Sequence, residues 1–187
     1  MAAVRDQMHT KEHEQSKYEK MNPYRMVADR YYGSTARDYD RKRSHKPCWG
    51  REQAAVDKFV SQGPVLDVPV GTGRYLQIYK DKGFKFQGID ASHEMIAQAH
   101  LKHADLDAKR GYITDLPFKD RQFGTVVCSR LLNWLYPVDM AKAVQEMRRV
   151  GKQIVTSIRL GEKGHHEGQA NYTHSKQDFY AAIDGLF

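Results

Sequence analysis

VLDVPVGTGR, residues Val65–Arg74, joins a short apolar run to an acidic residue and then to a tight turn that contains two glycines. The run predicts a buried strand over 64–68 whose carboxyl end is Asp67. A helical pattern, GRYLQIYKDKG, follows directly and ends at Gly83. Because ligands bind at the carboxyl ends of parallel strands, the turn with Gly71 and Gly73 is the first candidate for a binding loop.

The same alternation of strand and helix patterns continues along the chain. Further strands are predicted over 84–90, 111–115, 123–130 and 151–160, and further helices over 92–105, 139–150 and 175–187. Ahead of the first strand, apolar periodicity predicts helices over 23–43 and 49–60. This order indicates a doubly wound α/β fold, a parallel sheet with helices on both faces, because crossovers between parallel strands are right-handed.

Composition narrows the class of protein. A chain of 187 residues, 40% of them hydrophobic, can form one domain with a buried core. Residues 1–22 are polar without an apolar period, so we expect a flexible or loosely helical segment before a domain over 23–187. The sequence contains no apolar run long enough for a membrane span and no secretory signal pattern at its start. Two isolated cysteines, Cys48 and Cys128, make no disulfide framework, and a cytoplasmic location is expected.

The loop after the first strand matches neither of two common phosphate-binding patterns. A Walker loop needs a lysine and a hydroxyl residue after its last glycine, whereas Arg74 and Tyr75 follow Gly73. A dinucleotide loop needs a third glycine, and Leu76 stands at that position. The two glycines therefore do not assign a ligand by themselves.

Acidic residues end three successive predicted strands, at Asp67, Asp90 and Asp115. An acid after the second strand can accept hydrogen bonds from both hydroxyls of a ribose. A carboxylate and backbone groups after the third strand can pair with the polar edge of an adenine in an apolar pocket. Each acid alone could simply cap a turn or the following helix. All three at neighbouring strand ends indicate a nucleoside pocket.

Four motifs in this order resemble those of the class I S-adenosylmethionine-dependent methyltransferases: VLDVPVGTGRYL, FQGIDASHEMIAQA, YITDLPFKDRQFGTVVCSRLLNWL and AVQEMRRV. The resemblance covers about residues 24–187. It implies a Rossmann-like sheet and S-adenosylmethionine as cofactor. This chain carries Pro69 and Val70 where members of that family often have Gly or Cys.

The resemblance also implies where the cofactor would bind. Asp67 and the glycine loop would border its methionine part, Asp90 would hold the ribose hydroxyls, and Asp115 would meet the adenine edge. Ser129 would face the sulfonium, and Tyr39, in the segment YDRKR, would close over the cofactor. The complete set of predicted cofactor-binding residues is Tyr39, Asp67, Gly71, Thr72, Gly73, Arg74, Asp90, Ala91, Met95, Asp115, Leu116 and Ser129.

The end of the sheet is a second departure from the family pattern. Family members usually continue after DGLF with two more strands, whereas this sequence ends at Phe187. We therefore expect a sheet without the usual last two strands and with the fifth strand, around 153–158, at an exposed edge. We expect a second copy of the chain, a different partner, or residues outside this sequence to cover that edge.

Methyl transfer to a small-molecule acceptor is the predicted function. After the fourth strand stands SRLL rather than an NPPY-like tetrapeptide or a Pro-Cys pair, which argues against methylation of nucleobases by those routes. A nucleic-acid acceptor is the second hypothesis, because the formal net charge is +7 and a basic cluster is present. That cluster consists of Arg41, Lys42, Arg43 and Lys46.

A third hypothesis is a protein that binds S-adenosylmethionine without methylating an acceptor. It would degrade the cofactor or serve as a non-methylating subunit of an assembly. A general base is needed only if the acceptor loses a proton, and His165, His166 and His174 are the candidates. No residue is assigned a catalytic role. No metal site is predicted, although His9 and His13 have the spacing of two ligands on a helix.

Overall fold

The computed structural model describes residues 33–162, 164–165 and 172–184. The helices are α1 Ser34–Arg37, α2 Tyr39–Arg43, α3 Pro47–Phe59, α4 Leu76–Asp81, α5 His93–Lys102, α6 Pro137–Val150 and α7 Lys176–Asp184, with a short 3₁₀ helix at Leu132–Trp134. The strands are β1 Val65–Asp67, β2 Phe86–Asp90, β3 Asp107–Arg110, β4 Phe123–Ser129, β5 Gly151–Ser157, β6 Gly164–His165 and β7 Tyr172–Thr173.

Five of these strands form one open parallel sheet in the order β3-β2-β1-β4-β5. The central strand β1 pairs with β2 on one side and with β4 on the other, and its three residues are buried. The strand order reverses between β1 and β4, which opens a crevice above their carboxyl ends. The predicted doubly wound sheet is therefore confirmed. Strands β6 and β7 form a separate antiparallel pair.

Two apolar clusters cover the two faces of the sheet, because successive residues of a strand point to opposite sides. Leu66 and Val126 pack into the cluster that α6 and α7 complete. Val65 and Val127 pack into the cluster that α3, α4 and α5 complete. Because both faces of the sheet are buried, side chains on both sides of β1 and β4 are apolar, and the sequences of these strands are nearly continuous apolar runs.

The third strand lies earlier than the sequence predicted. It is Asp107–Arg110, and residues 111–115, taken for the strand, form a turn closed by a bridge between Tyr112 and Asp115. Strand β3 is an edge strand whose side chains are largely exposed, so its sequence DAKR carries no apolar pattern. The apolar Ile113 is buried from a turn instead.

The helix predicted over 23–43 is interrupted in its described part. The chain forms α1 and α2 as separate short helices that meet at Asp38. The remainder of that helix and the segment 1–22 lie outside the described residues. Helix α3 begins at Pro47, two residues before the predicted start, because proline suits the first turn of a helix.

Candidate functional site

The loop after β1 takes a course that two glycines make possible. Gly71 and Gly73 have φ values of 55° and 74°, a left-handed region that favours glycine. A Cβ atom at Gly73 would lie 3.0 Å from side-chain atoms of His103 and Leu76. The loop therefore folds closely against α4 and α5. The backbone N–H of Gly71 donates a 2.8 Å hydrogen bond to Asp90 Oδ2.

Asp90 is the end of β2 and lies 7% exposed at the mouth of the crevice. Its Oδ1 accepts a second hydrogen bond, 2.8 Å long, from the backbone N–H of Ser92. Burial raises the pKa of Asp90 to about 6, while the N–H donors of Ser92 and Gly71 act in the opposite direction. The carboxylate is held by two backbone groups and is ionised above that pKa. A carboxylate has about four acceptor positions, so it can still accept from a ligand.

Asp67 lies beneath the loop rather than in the crevice. Its side chain is fully buried and accepts a 3.1 Å hydrogen bond from the Tyr79 hydroxyl. Its Oδ1 has no hydrogen-bond partner among the described residues. Burial raises the pKa of Asp67 to about 8, which the Tyr79 hydroxyl and the Arg74 charge oppose.

A cleft with about 870 Å³ of empty space opens over the carboxyl ends of β1, β2 and β4. Eight of the twelve predicted cofactor-binding residues line it: Tyr39, Gly71, Thr72, Arg74, Asp90, Ala91, Met95 and Ser129. The lining that the sequence did not predict is mainly apolar or aromatic: Val68, Pro69, Val70, Tyr75, Ile89, Ser92, Gly111, Tyr112, Ile113, Arg130, Leu131 and Trp134. Six of these twelve residues are next to a predicted residue in the sequence, so proximity to the strand ends was the signal that could have identified them.

Four predicted residues do not line this cleft. Asp67 is fully buried at the end of β1, Gly73 is a buried residue of the loop, and Asp115 is exposed on the turn after β3. Leu116 is buried, and its backbone N–H donates a 2.7 Å hydrogen bond to Glu146 on α6. The earlier position of β3 is the cause, since it brings Gly111, Tyr112 and Ile113 to the cleft in place of Asp115.

A charged network fixes the wall of the cleft beside α3. The Arg74 guanidinium lies 4.1 Å from the centre of the Trp49 ring and 4.4 Å from that of Tyr75. Its Nη2 donates to Glu52 at 2.7 Å, and Arg130 Nε donates to the other oxygen of Glu52 at 3.0 Å. Arg74 is only 9% exposed, and its Nε has no hydrogen-bond partner among the described atoms. Glu52 therefore joins the loop after β1 to the loop after β4.

Helix α2 is attached to the loop after β1. Asp40 Oδ1 accepts a 2.7 Å hydrogen bond from the Thr72 hydroxyl, and Asp40 also pairs with Lys102 of α5. The neighbouring residue, Tyr39, lines the cleft. The contacts of Asp40 thus hold the aromatic side chain of Tyr39 beside the binding loop.

The candidate general bases are not brought to the cleft. His174 is fully buried, and its Nε2 lies 2.9 Å from the carbonyl oxygen of Leu132. It lines neither this cleft nor either of the two neighbouring cavities. The side chain of His165 and all of His166 lie outside the described part of the chain.

The described residues offer no metal site, because they contain no group of three or more histidine, cysteine, aspartate and glutamate side chains that could hold a metal ion. His9 and His13 lie outside those residues. Within the same ranges, no helix has both the length and the apolar character to cross a membrane.

Comparisons with known proteins consistently find similarity to methyltransferases. Residues 65–153 match a family model described as a methyltransferase domain. The chain is 28% identical over 130 residues to an uncharacterized methyltransferase of Staphylococcus carnosus (strain TM300), covering 67% of this chain and 61% of that protein. It is 36% identical over 98 residues to demethylmenaquinone methyltransferase of Paenarthrobacter aurescens (strain TC1), covering 52% of this chain and 38% of that protein. The chain thus spans less than two thirds of these curated relatives.

A solved structure agrees with the fold. Magnesium protoporphyrin IX methyltransferase from Synechocystis PCC 6803, crystallised with bound S-adenosylmethionine, superposes with a TM-score of 0.66. It is 14% identical, and the match covers 87% of this chain and 84% of that one. The Rossmann-like sheet, the buried acid at the end of β2 and the glycine loop after β1 are features of nucleoside-binding α/β domains. Within that class, the matching family model and the similar proteins support a class I S-adenosylmethionine-dependent methyltransferase.

The residues present fit S-adenosylmethionine, the cofactor of this family. The backbone of Gly71 is left-handed, and a Cβ atom at this position would lie 3.5 Å from the terminal methyl carbon of Met95. The loop therefore passes close to the Met95 side chain. The apolar walls of Val70, Ile89 and Met95 suit a purine ring. Asp90 offers two carboxylate oxygens that are already oriented by backbone donors.

Proposed function

We propose that this protein transfers a methyl group from S-adenosylmethionine to a small-molecule acceptor. The observation that carries the proposal is Asp90, a pre-oriented carboxylate in an apolar cleft beside a glycine loop. The bound cofactor would supply an electrophilic methyl group on a positively charged sulfur. The methyl–sulfur bond would break as the bond to the acceptor forms, which would leave S-adenosylhomocysteine, and any proton that the acceptor loses would pass to water.

The chain's own part in this reaction is binding, orientation and exclusion of water. The remaining acceptor positions of Asp90 would take the ribose hydroxyls, which fixes the nucleoside in one direction. Tyr39, Trp134 and Ser129 line the cleft, and Ser129 is the end of β4. Holding donor and acceptor in line in a site shielded from water is the main requirement of such a transfer.

No side chain needs to be a general base for this proposal. The Tyr75 hydroxyl donates a 2.8 Å hydrogen bond to Ser129, and Ser129 and Ser157 lie 3.1 Å apart through their hydroxyl oxygens. Burial raises the pKa of Tyr75, so its hydroxyl stays protonated at neutral pH. We therefore assign this hydroxyl chain the role of ordering the wall of the cleft.

Product analysis tests the proposal against cofactor degradation. The purified chain is incubated with S-adenosylmethionine, with and without a small-molecule extract, and the products are separated by chromatography. We expect S-adenosylhomocysteine to form only when the extract is present. Methylthioadenosine or homoserine lactone formed without an acceptor would instead identify a lyase.

Nucleic acid is the second candidate acceptor, favoured only by the basic cluster on and after α2. Two of its members already have acidic partners, since Asp38 pairs with Arg41 at 3.1 Å and with Lys42 at 3.4 Å. We therefore expect any nucleic-acid binding to be weak and strongly salt-dependent. Tight, sequence-selective binding at high salt would place nucleic acid first.

A further inference from the structure

A second cavity, with about 820 Å³ of empty space, opens beside the cofactor cleft. The two share Tyr39, Arg130 and Trp134, so a molecule in one would adjoin a molecule in the other. The described lining of the second cavity is Tyr39, Arg43, Cys48, Glu52, Arg130, Asn133, Trp134, Ser157, Ile158 and Arg159.

The charges that line this cavity are unbalanced. Arg43, Arg130 and Arg159 face a single carboxylate, that of Glu52, among the described lining residues. Glu52 is shared between Arg130 and Arg74, which lies in the wall of the neighbouring cleft. Among the described lining residues, guanidinium groups therefore outnumber carboxylates by three to one.

Arg130 is the best-fixed of these cations. It has a φ of 63°, and its backbone N–H donates a 3.1 Å hydrogen bond to the Ser157 hydroxyl. Its side chain is 25% exposed and contacts Glu52 and the Cys48 sulfur, 2.9 Å away. Burial opposes its charge, yet the Glu52 carboxylate raises the pKa of the guanidinium above its ordinary value. Arg130 thus remains charged at the junction of the two cavities.

The other two arginines come from separate parts of the chain. Arg43 of α2 lies with its guanidinium carbon 5.7 Å from the centre of the Tyr39 ring. Arg159 follows β5, where the Asn133 amide bonds its backbone twice, at 2.7 Å and 2.9 Å. Asn133 is itself buried, so this bend after β5 is held in place. Trp134 and Ile158 supply apolar surface between the charges.

We propose that this second cavity holds the methyl acceptor, and that the acceptor is a small molecule bearing an anionic group, a carboxylate or a phosphate. The guanidinium forks of Arg43, Arg130 and Arg159 match the oxygens of such groups. Trp134 and Ile158 pack against the acceptor's apolar part. The inference rests on the proposed function, because the cavity is assigned to the acceptor through its junction with the cofactor cleft.

Matched pairs of small probes test this inference. Benzoate is compared with benzamide, and phenyl phosphate with phenol, by calorimetry on protein saturated with S-adenosylhomocysteine. We expect at least one anion to bind about tenfold or more tightly than its neutral counterpart, the effect of one charge-assisted hydrogen bond. The better of the two anions identifies the carboxylate or the phosphate class.

Substitutions test whether the preference for anionic probes arises in this cavity. The double variant Arg43→Gln/Arg159→Gln leaves the Arg130–Glu52 pair in place and should lose the preference for anions. Arg37→Gln/Lys152→Gln removes the same charge from two exposed side chains outside both cavities and should retain it. Equal binding of charged and neutral probes by the unchanged protein, or equal loss in the control, would overturn the inference. Affinity for S-adenosylhomocysteine, measured in the same experiment, reports separately on the proposed function.

Discussion

At the scale of single residues, the cofactor proposal depends on Asp90, because the side chain of Asp90 is already oriented before a ligand binds. Two backbone N–H groups, from Gly71 and Ser92, hold its oxygens at 2.8 Å each. A ligand hydroxyl would meet an acceptor that has already lost its freedom to rotate, so little further ordering is needed on binding.

Replacing Asp90 with alanine should weaken S-adenosylmethionine binding by about 1.5–3 kcal/mol, the range for hydrogen bonds to a charged group. Calorimetry measures the affinity. Asp107→Ala is the matched control, since Asp107 begins the neighbouring strand, is exposed and does not line the cleft. Unchanged affinity in the Asp90 variant would remove this residue from the binding site.

Asp67 should make stability depend on pH. Burial raises its pKa from 3.8 to about 8 in the folded chain, so the folded state holds a proton that the unfolded state releases. The free energy of unfolding therefore falls as pH rises from about 4 to about 8.

Asp67→Asn removes this titration. Thermal unfolding at pH 5 and pH 8 should show the variant gaining in melting temperature relative to the unchanged chain as pH rises. Asp105→Asn is the control, because Asp105 is exposed and its pKa is lowered by the Lys80 side chain. A difference between variant and unchanged chain that does not change with pH would contradict the raised pKa.

At the scale of elements, the side chain of Asp40 attaches α2 to two other parts of the molecule. Asp40 joins this five-residue helix to Thr72 of the binding loop and to Lys102 of α5. A helix this short has little stability of its own, so contacts of this kind must hold it.

Replacing Asp40 with alanine should release α2 and with it Tyr39 from the cleft. We expect S-adenosylmethionine to bind several-fold more weakly, chiefly through faster dissociation, as is usual when contacts at a binding site are lost. Stopped-flow fluorescence measures the dissociation rate. Asp38→Ala is the control, since the ion pairs of Asp38 are with Arg41 and Lys42, which lie on α2 itself. Equal rates in both variants would show that the Asp40 contacts do not retain the cofactor.

At the scale of the whole molecule, the sheet has an edge that the described residues leave open. Strand β5 pairs with β4 on one side, and no other described strand pairs with it. Its centre is apolar, with Ile154 and Val155. Such an edge can template pairing with another chain through its free N–H and C=O groups.

We expect this edge to be covered in solution. Light scattering should give a mass above that of one chain, 21.6 kDa, and amide exchange should show protection along 153–158. The amides of Leu66 and Val126, inside the sheet, serve as the protected reference. A stable monomer whose β5 amides exchange freely would show that the edge needs no cover.

The sequence by itself determined the alternation of elements, and eight of the twelve residues predicted from it line the cleft. Local pattern suffices for these, since a glycine turn after an apolar strand and an acid after the next strand bring Gly71 and Asp90 to one edge of the sheet. The break at Asp38 and the place of the third strand were not predictable in this way. Strand β3 is defined by its pairing with β2, because an exposed edge strand has no apolar period that could be read from the sequence.

Only the tertiary structure decided which distant residues meet. Glu52 of α3, Arg74 after β1 and Arg130 after β4 are far apart in the chain, and nothing in their local sequence indicates that one carboxylate serves both arginines. Asp115 was assigned to the cleft by its place in the sequence and lies outside it, because the register of β2 and β3 sends the chain away from the sheet at Arg110. Spacing along a chain fixes the neighbours within an element, whereas register and packing between elements determine which side chains share a cavity.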